Sequence, residues 1–131
     1  VDLSKPMLDQ AKKKNIYDKL SHYNLADFLS IETLNFDYFI AADVFVYIGE
    51  LLEIFRLIKF RNSKNGRLVF STEHTEKDGY CLENSGRYSH SRNYIDNLCR
   101  ELGYRICHFS TSNIRKEKNG AICGGLYLLE F

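Results

Sequence analysis

Apolar residues crowd most densely into Phe36-Asp37-Tyr38-Phe39-Ile40-Ala41-Ala42-Asp43-Val44-Phe45-Val46-Tyr47-Ile48-Gly49. A short, nearly continuous apolar run followed by a helical pattern predicts a strand buried on both faces, from Phe36 to about Tyr47, of the kind a parallel α/β sheet uses. From Gly49 to about Phe60 the rhythm changes: Leu51, Leu52, Phe55 and Ile58 fall on one side of a helix. Asn65-Gly66 reads as a turn and Arg67 to His74 as the next strand. Thr75 to Arg87 has no period and reads as a loop, a candidate lid. Ser89 or Ser91 can cap a helix carrying Tyr94, Ile95, Leu98, Cys99 and Leu102, which Gly103 ends. Arg105 to Thr111 and Ala121 to Phe131 read as an antiparallel pair joined by a charged turn, Ile114 to Gly120.

Before the dense run the pattern is weaker. Val1 to Ser4 reads as the tail of a strand running into a helix, with Ser4 as cap and Pro6 in the first turn. Met7, Leu8 and Ala11 share one face of that helix, and Lys12, Lys13 and Lys14 suit its C-terminal end. His22 to Leu29 reads as a short strand closing on an acid, followed by an irregular turn to Asn35. Strands alternating with helices predict an α/β fold. The expected core is Phe39, Ala41, Phe45, Val69, Phe70, Leu98, Leu102, Ile106, Leu126 and Leu128.

Composition narrows the function. The 131 residues suit a single domain, 1–131, with one core. A net charge of +1 argues against a dedicated nucleic-acid or membrane-surface binder. The longest apolar run is far shorter than the ~20 residues a membrane span needs, and Val1 to Pro6 carries no signal-peptide core. Cys81, Cys99, Cys107 and Cys123 are scattered, as expected of a reduced, cytoplasmic protein. The His and Cys residues never reach zinc-site spacing, so no metal is expected, and neither a G-x-S-x-G elbow nor a P-loop occurs.

Candidate chemistry collects where strands end, because ligands of open α/β sheets bind beyond the carboxyl ends of the strands. Ala42, Asp43 and Val44 stand at such a place, although Asp43 is equally well read as a plain strand end. Glu73 and His74 follow the next strand and are weak acid–base candidates. His90, between two serines, is a third, with a helix-start role as the simpler reading.

In order and spacing, Val1 to Leu8, Leu25-Ala26-Asp27-Phe28, Phe36 to Gly49, Gly66 to Glu73 and the closing helix-strand-hairpin resemble a class I S-adenosylmethionine-dependent methyltransferase. The pairing of Ala41 to Tyr47 with Gly86-Arg87-Tyr88-Ser89-His90-Ser91 is closest to methyltransferases found beside tetratricopeptide repeats. The resemblance implies a Rossmann-like methyltransferase sheet, mainly parallel with an antiparallel C-terminal hairpin and helices on both faces. It implies methyl transfer from the cofactor S-adenosylmethionine to a small-molecule or protein acceptor. By resemblance Asp2 takes the ribose hydroxyls, Met7 lies over the adenine, and Asp27 beside Phe28 accepts from the adenine amino group. Ala42, Asp43 and Val44 lie beside the methionine part. Tyr47, Glu73, His74 and His90 ring the acceptor. For Asp2 and Asp27 a surface acid near a helix start and a helix cap remain as alternatives. Pro6 is the only proline. The Asn/Asp-Pro-Pro-Tyr/Phe turn of amino-group methyltransferases acting on nucleobases or glutamine is therefore replaced by Ala42-Asp43-Val44-Phe45, which argues against that acceptor class.

In the family a glycine-rich loop on the first strand precedes the acid that corresponds to Asp2. The resemblance therefore covers a C-terminal portion, an N-terminally truncated sheet. Two functional expectations follow: methyl transfer when a separate N-terminal half complements the chain, or a catalytically inactive remnant serving as an interaction module. The strand from Asp37 to Phe45 is then an open edge, and three outcomes are expected of it. The segment near Tyr23 to Ala26 slides in beside it, the missing half docks there, or two copies pair as a homodimer with Phe39 and Ile40 at the contact.

Overall fold

The structure, a computed structural model, describes residues 1–31, 33, 35–117 and 120–131, with the side chains of 63, 64 and 117 left aside. Two compact units emerge, Val1–Leu34 and Asn35–Phe131.

In the first unit, α1 (Lys5–Lys14) starts where Ser4 Oγ accepts from the Met7 amide, 3.4 Å away, with Pro6 in the first turn. It stops at Asn15, whose left-handed backbone (φ 48°) an asparagine tolerates. Val1 to Ser4 contributes one parallel bridge, Asp2 to His22, in place of a strand tail. The strand expected over His22 to Leu29 is instead a helix, α2 (Leu25–Leu29). Asn24 Oδ1 accepts from the Ala26 amide at 2.9 Å, and Leu25, Phe28 and Leu29 fall at helical spacing. The irregular turn to Asn35 lies partly outside the described residues.

The second unit contains β1 (Phe36–Ala41), α3 (Leu52–Phe60), β2 (Asn62–His74), β3 (Tyr80–Leu82), β4 (Tyr88–His90), α4 (Arg92–Leu102), β5 (Arg105–Glu117) and β6 (Gly120–Glu130). The sheet runs β3-β4-β2-β6-β5, and β1 pairs with β2 on the β4 side. β1 and β4 are parallel to β2, whereas β2 with β6, β3 with β4, and β5 with β6 are antiparallel. The sheet is therefore mixed rather than mainly parallel. Three residues of the expected loop 75–87, Tyr80–Leu82, form β3. The expected turn at Ile114 is strand instead, since β5 continues to Glu117; residues 118 and 119 lie outside the described residues. Asn65-Gly66 is a kink inside β2: Asn65 adopts φ 48° and the Gly66 amide donates to Asn62 Oδ1.

Strand alternation decides what is inside. Ala41, Leu68, Phe70, Thr72, Tyr127 and Leu129 point to one face, where all are buried. The Phe70 and Tyr127 rings stack at 4.7 Å, and Phe55 of α3 meets Phe70 edge-on at 5.4 Å. Such aromatic pairs contribute ~0.5–1.5 kcal/mol each beyond burial. α4 covers the same face, with Arg92 4.2 Å above the Phe109 ring. The two helices of this unit thus share one face. They also finish each other's ends: the Leu51 amide at the start of α3 donates to Tyr94 Oη of α4, and Lys59 Nζ donates to the Leu102 and Gly103 carbonyls that close α4.

The other face carries Tyr38, Ile40, Val69 and Leu126, all exposed. Val69 and Leu126 therefore leave the expected core, because their neighbours Phe70 and Tyr127 take the inward positions; Phe39, Leu102, Ile106 and Leu128 are half-buried. β1 is not buried on both faces, and it ends at Ala41. Ala42-Asp43 turns, Asp43 at φ 57°, and Phe45–Tyr47 forms a 3-10 helix that buries Phe45 and Val46. Strand and 3-10 turn both need apolar residues, so the run looked continuous. Among the described strands β1 pairs with β2 alone, and the segment near Tyr23 to Ala26 supplies no strand to its other edge.

Leu98→Ala should destabilise the fold by about 2–5 kcal/mol in calorimetric or urea unfolding, the cost of a cavity in a packed core. Val69→Thr on the open face should change stability by less than about 0.5 kcal/mol.

Candidate functional site

β1 and β2 are parallel, so their carboxyl ends lie side by side, and an open cavity of about 450 Å³ sits there on the helix-free face of the unit. Ile40, Val69 and Leu126 give it apolar walls, and Ala42, Asp43 and Ser71 line its β1–β2 end. Its far wall comes from β5. The β5–β6 register shifts between Asn113 and Arg115, placing Ile114 in a bulge. A Cβ on the facing Gly124 would overlap the Ile114 side chain, so glycine leaves room for the bulge. Ile114 and Arg115 are thereby carried to the cavity.

A chain of charges ties this end of the sheet together. The Asp43 amide donates to Ser71 Oγ at 3.1 Å, and Asp43 Oδ1 lies 3.5 Å from Arg115 Nη1. Arg115 Nη2 donates to Glu73 Oε1, which also lies 3.9 Å from Arg87 Nη1. Arg87 Nη2 then donates to Tyr47 Oη at 3.3 Å, its guanidinium 5.6 Å from the Tyr47 ring centre. Glu73 is only 4% exposed. A buried carboxylate persists because two guanidiniums face it.

The residues expected to form the site are thus distributed as follows. Ala42 and Asp43 line the cavity; Val44 is half-buried before the 3-10 helix. Tyr47 and Glu73 are joined through Arg87. His74 lies across the sheet, on the face of Thr72, its Nε2 3.1 Å from Glu76 Oε1 and its ring 6.0 Å from that of Phe109. His90 is buried, ringed by Tyr80 and Tyr94, with Nε2 2.9 Å from the Gly49 carbonyl. Ser91, not His90 or Ser89, caps α4 by accepting from the Tyr94 amide. In the first unit the Asp2 carboxylate is exposed and accepts from the Ser4 amide at 2.7 Å. Met7 is exposed on α1; Asp27 is exposed on α2, and Phe28 is half-buried with its ring 6.2 Å from that of Tyr23. A second cavity, about 640 Å³, is lined by α1 and the segment from Asn15 to His22, and not by Asp2 or Met7.

Ser71, Arg87, Ile114 and Arg115 were not anticipated. Arg115 falls in a charged stretch that resembles a turn, and only the paired glycines at 124 and 125 signal that a strand faces a bulge there. Among the described residues no group of three His, Cys, Asp or Glu side chains is arranged to hold a metal, and no helix is long and apolar enough to cross a membrane.

His90 gives the unit a pH dependence. Burial pulls its pKa below the usual 6.5, and the Gly49 carbonyl, which favours the charged form, opposes this. Its Nδ1 has no partner among the described residues. The unfolded chain therefore binds more protons at this position, so the stabilisation is complete above pH 6.5 and is lost as pH falls. Urea unfolding between pH 7.5 and 5 should show stability dropping by up to about 1.4 kcal/mol per pH unit, the limit for one proton. His90→Gln should flatten that slope; Glu83 and Glu130, whose pKa values are lowered by Ser89 and by Arg105, act only at more acidic pH.

No protein-family model and no curated protein sequence matches the chain. Solved structures do. An S-adenosylmethionine-dependent methyltransferase from Mesorhizobium loti is 17% identical with a TM-score of 0.67, over 98% of this chain and 78% of that one. A SAM-dependent methyltransferase from Leishmania major is 16% identical with a TM-score of 0.73, over 98% and 54%. Magnesium protoporphyrin IX methyltransferase from Synechocystis, solved with bound SAM, is 15% identical with a TM-score of 0.68, over 98% and 56%. The chain spans about half the length of the last two. These likenesses show that the chain has an α/β fold of the S-adenosylmethionine-dependent methyltransferase type.

Proposed function

We propose that this chain takes part in methyl transfer from S-adenosylmethionine to a small-molecule or protein acceptor. The observation that carries the reading is the fold likeness, combined with a cavity at the carboxyl ends of the parallel pair β1 and β2. The residues of the second unit fit the methionine end of such a cofactor: an apolar cavity, a carboxylate at Asp43 and a guanidinium at Arg115. When bound, the cofactor supplies an activated methyl group on a sulfonium. In the first unit, the exposed Asp2 carboxylate has the two oxygens that a ribose diol needs, although Ser4 already occupies one of them. Met7, Asp27 and Phe28 would serve the adenine, and Val44 would support the turn at Asp43.

The protein's contribution is mostly positional. Fixing an acceptor in line with the sulfonium supplies much of the rate without proton transfer by a side chain. Tyr47 and Arg87 would border the acceptor, with Glu73 holding Arg87 in place. Calorimetry with S-adenosylhomocysteine tests the reading: binding is expected, and Asp2→Ala should weaken it by about 1–3 kcal/mol, the worth of charge-assisted hydrogen bonds. Equal affinity of mutant and parent would remove Asp2 from the site, and no binding at millimolar ligand would remove the function.

One observation favours the second reading, an inactive interaction module: β1 has a single strand partner among the described residues, and Ile40 beside that edge is 78% exposed. An apolar strand without lysine or proline at a sheet edge is a template for another chain, here a second copy. Sedimentation at micromolar concentration should then show a dimer that Ile40→Lys disperses; a dimer indifferent to that substitution would mean that association uses another surface.

A further inference from the structure

We propose that the β3–β4 hairpin is a strap, latched beside Tyr47 by the neutral His90 imidazole and released when that imidazole takes up a proton. The hairpin is braced within itself. Glu83 accepts from Ser89 Oγ at 2.5 Å and from Cys81 Sγ at 3.1 Å, and the Glu83 amide donates to the Arg87 carbonyl at 2.8 Å. The Tyr80 and Tyr88 rings meet edge-on at 6.2 Å. Its seam with the rest of the sheet is short. Among the described residues β3 pairs with β4 alone, and β4 meets β2 at two residue pairs, Glu73 with Ser89 and His74 with His90. The neck is closed by the Ser91 amide, which donates to the Gly79 carbonyl at 2.9 Å. Gly79 turns there at φ 82°, with open space where a Cβ would stand. A braced hairpin on a glycine neck has the build of a hinged element.

Three contacts besides the seam dock it. The Tyr80 and Tyr88 rings lie on the bare backbone of Gly49, where a Cβ would overlap both. Arg87 reaches Glu73 and Tyr47. His90 Nε2 stands 2.9 Å from the Gly49 carbonyl. A carbonyl only accepts, so Nε2 carries the proton and Nδ1 of the neutral ring bears a lone pair. His90 is fully buried, and that Nδ1 has no partner among the described residues. A second proton would leave a buried charge and an N–H without an acceptor. The surroundings give no relief. β3 presents Tyr80, and α4 presents Tyr94, whose hydroxyl is already taken by Glu50 at 3.2 Å. The segment before α3 presents the backbone of Ile48 and Gly49. On β2 the register partner is His74, its Nε2 3.1 Å from Glu76 Oε1. Burial accordingly holds the His90 pKa below 6.5. Lifting the hairpin returns the ring to water, so below pH 6.5 the open form gains up to tenfold in population per pH unit. The lifted strap takes Arg87 away from Tyr47 and Glu73 and opens that border of the sheet. The device is independent of which ligand the site takes.

Hydrogen exchange of the full chain at pH 7.5 and 5.5, corrected for the intrinsic rate, tests it. Amides at the β2–β4 seam, including that of Thr75, which donates to the His90 carbonyl, should exchange faster than those of the β2–β6 ladder at both pH values. Their protection should fall at least threefold between pH 7.5 and 5.5, and tenfold if the docked ring stays neutral throughout. His90→Gln keeps a donor for the Gly49 carbonyl and cannot titrate, so the fall should vanish. The parent chain supplies a second reading should that variant fail to fold: the His90 imidazole, titrated by NMR, should have a pKa below 6.5. The proposal is overturned if the seam exchanges only together with the β2–β6 ladder, or if its protection is the same at both pH values. It is equally overturned if folded His90→Gln keeps the fall, or if the imidazole titrates at or above 6.5.

Discussion

The second unit depends on the two-sidedness of β2. It is the strand on which the parallel and antiparallel parts of the sheet meet, with β1 and β4 along one edge and β6 along the other. Its side chains alternate between two jobs. Leu68, Phe70 and Thr72 go inward under α3 and α4, and the Phe70–Tyr127 stack fixes how β6 lies against it. Val69, Ser71 and Glu73 go to the open face and build the cavity and its charged border. A register slip of one residue would exchange the two sets, putting a carboxylate in the aromatic core and a phenylalanine in the open.

The charged border extends that logic. Glu73 is buried on a face that is otherwise open, and its cost is met by arginines from two different elements, Arg87 just before β4 and Arg115 of β5. Removing one partner from such a group is far more damaging than its net contribution suggests. The same network positions Asp43, whose left-handed backbone ends β1 and whose amide is held by Ser71. Local chain reversal, sheet register and site electrostatics are therefore coupled: each depends on the strand ends of β1 and β2 staying side by side.

Much of this was legible in the sequence, and the exceptions have physical causes. α4 was readable because its cap, its apolar period and its terminal glycine agree, and Gly103 adopts φ 69° as a helix-ending glycine should. The C-terminal hairpin was readable from its apolar alternation. The end of β1 was not, because a strand and a 3-10 turn that both bury apolar side chains leave no break in the pattern. Leu25 to Leu29 read as a strand because five residues are too few to display a helical period, and the cap at Asn24 was the signal overlooked. Val69 and Leu126 read as core because an apolar strand residue does not itself reveal whether its face of the sheet is covered. Asp43 was found because it follows a strand. Arg115 was not, because a bulge at Ile114, seventy-one positions further along the chain, is what brings the two together.

The central claim is that the carboxyl ends of β1 and β2 form the ligand site. Amide chemical-shift mapping of the isotope-labelled chain with S-adenosylhomocysteine tests it most directly. The account predicts that the largest perturbations fall on Asp43, Ser71 and Arg115. Perturbations centred on α3 and α4, or a spectrum unchanged at millimolar ligand, would contradict it.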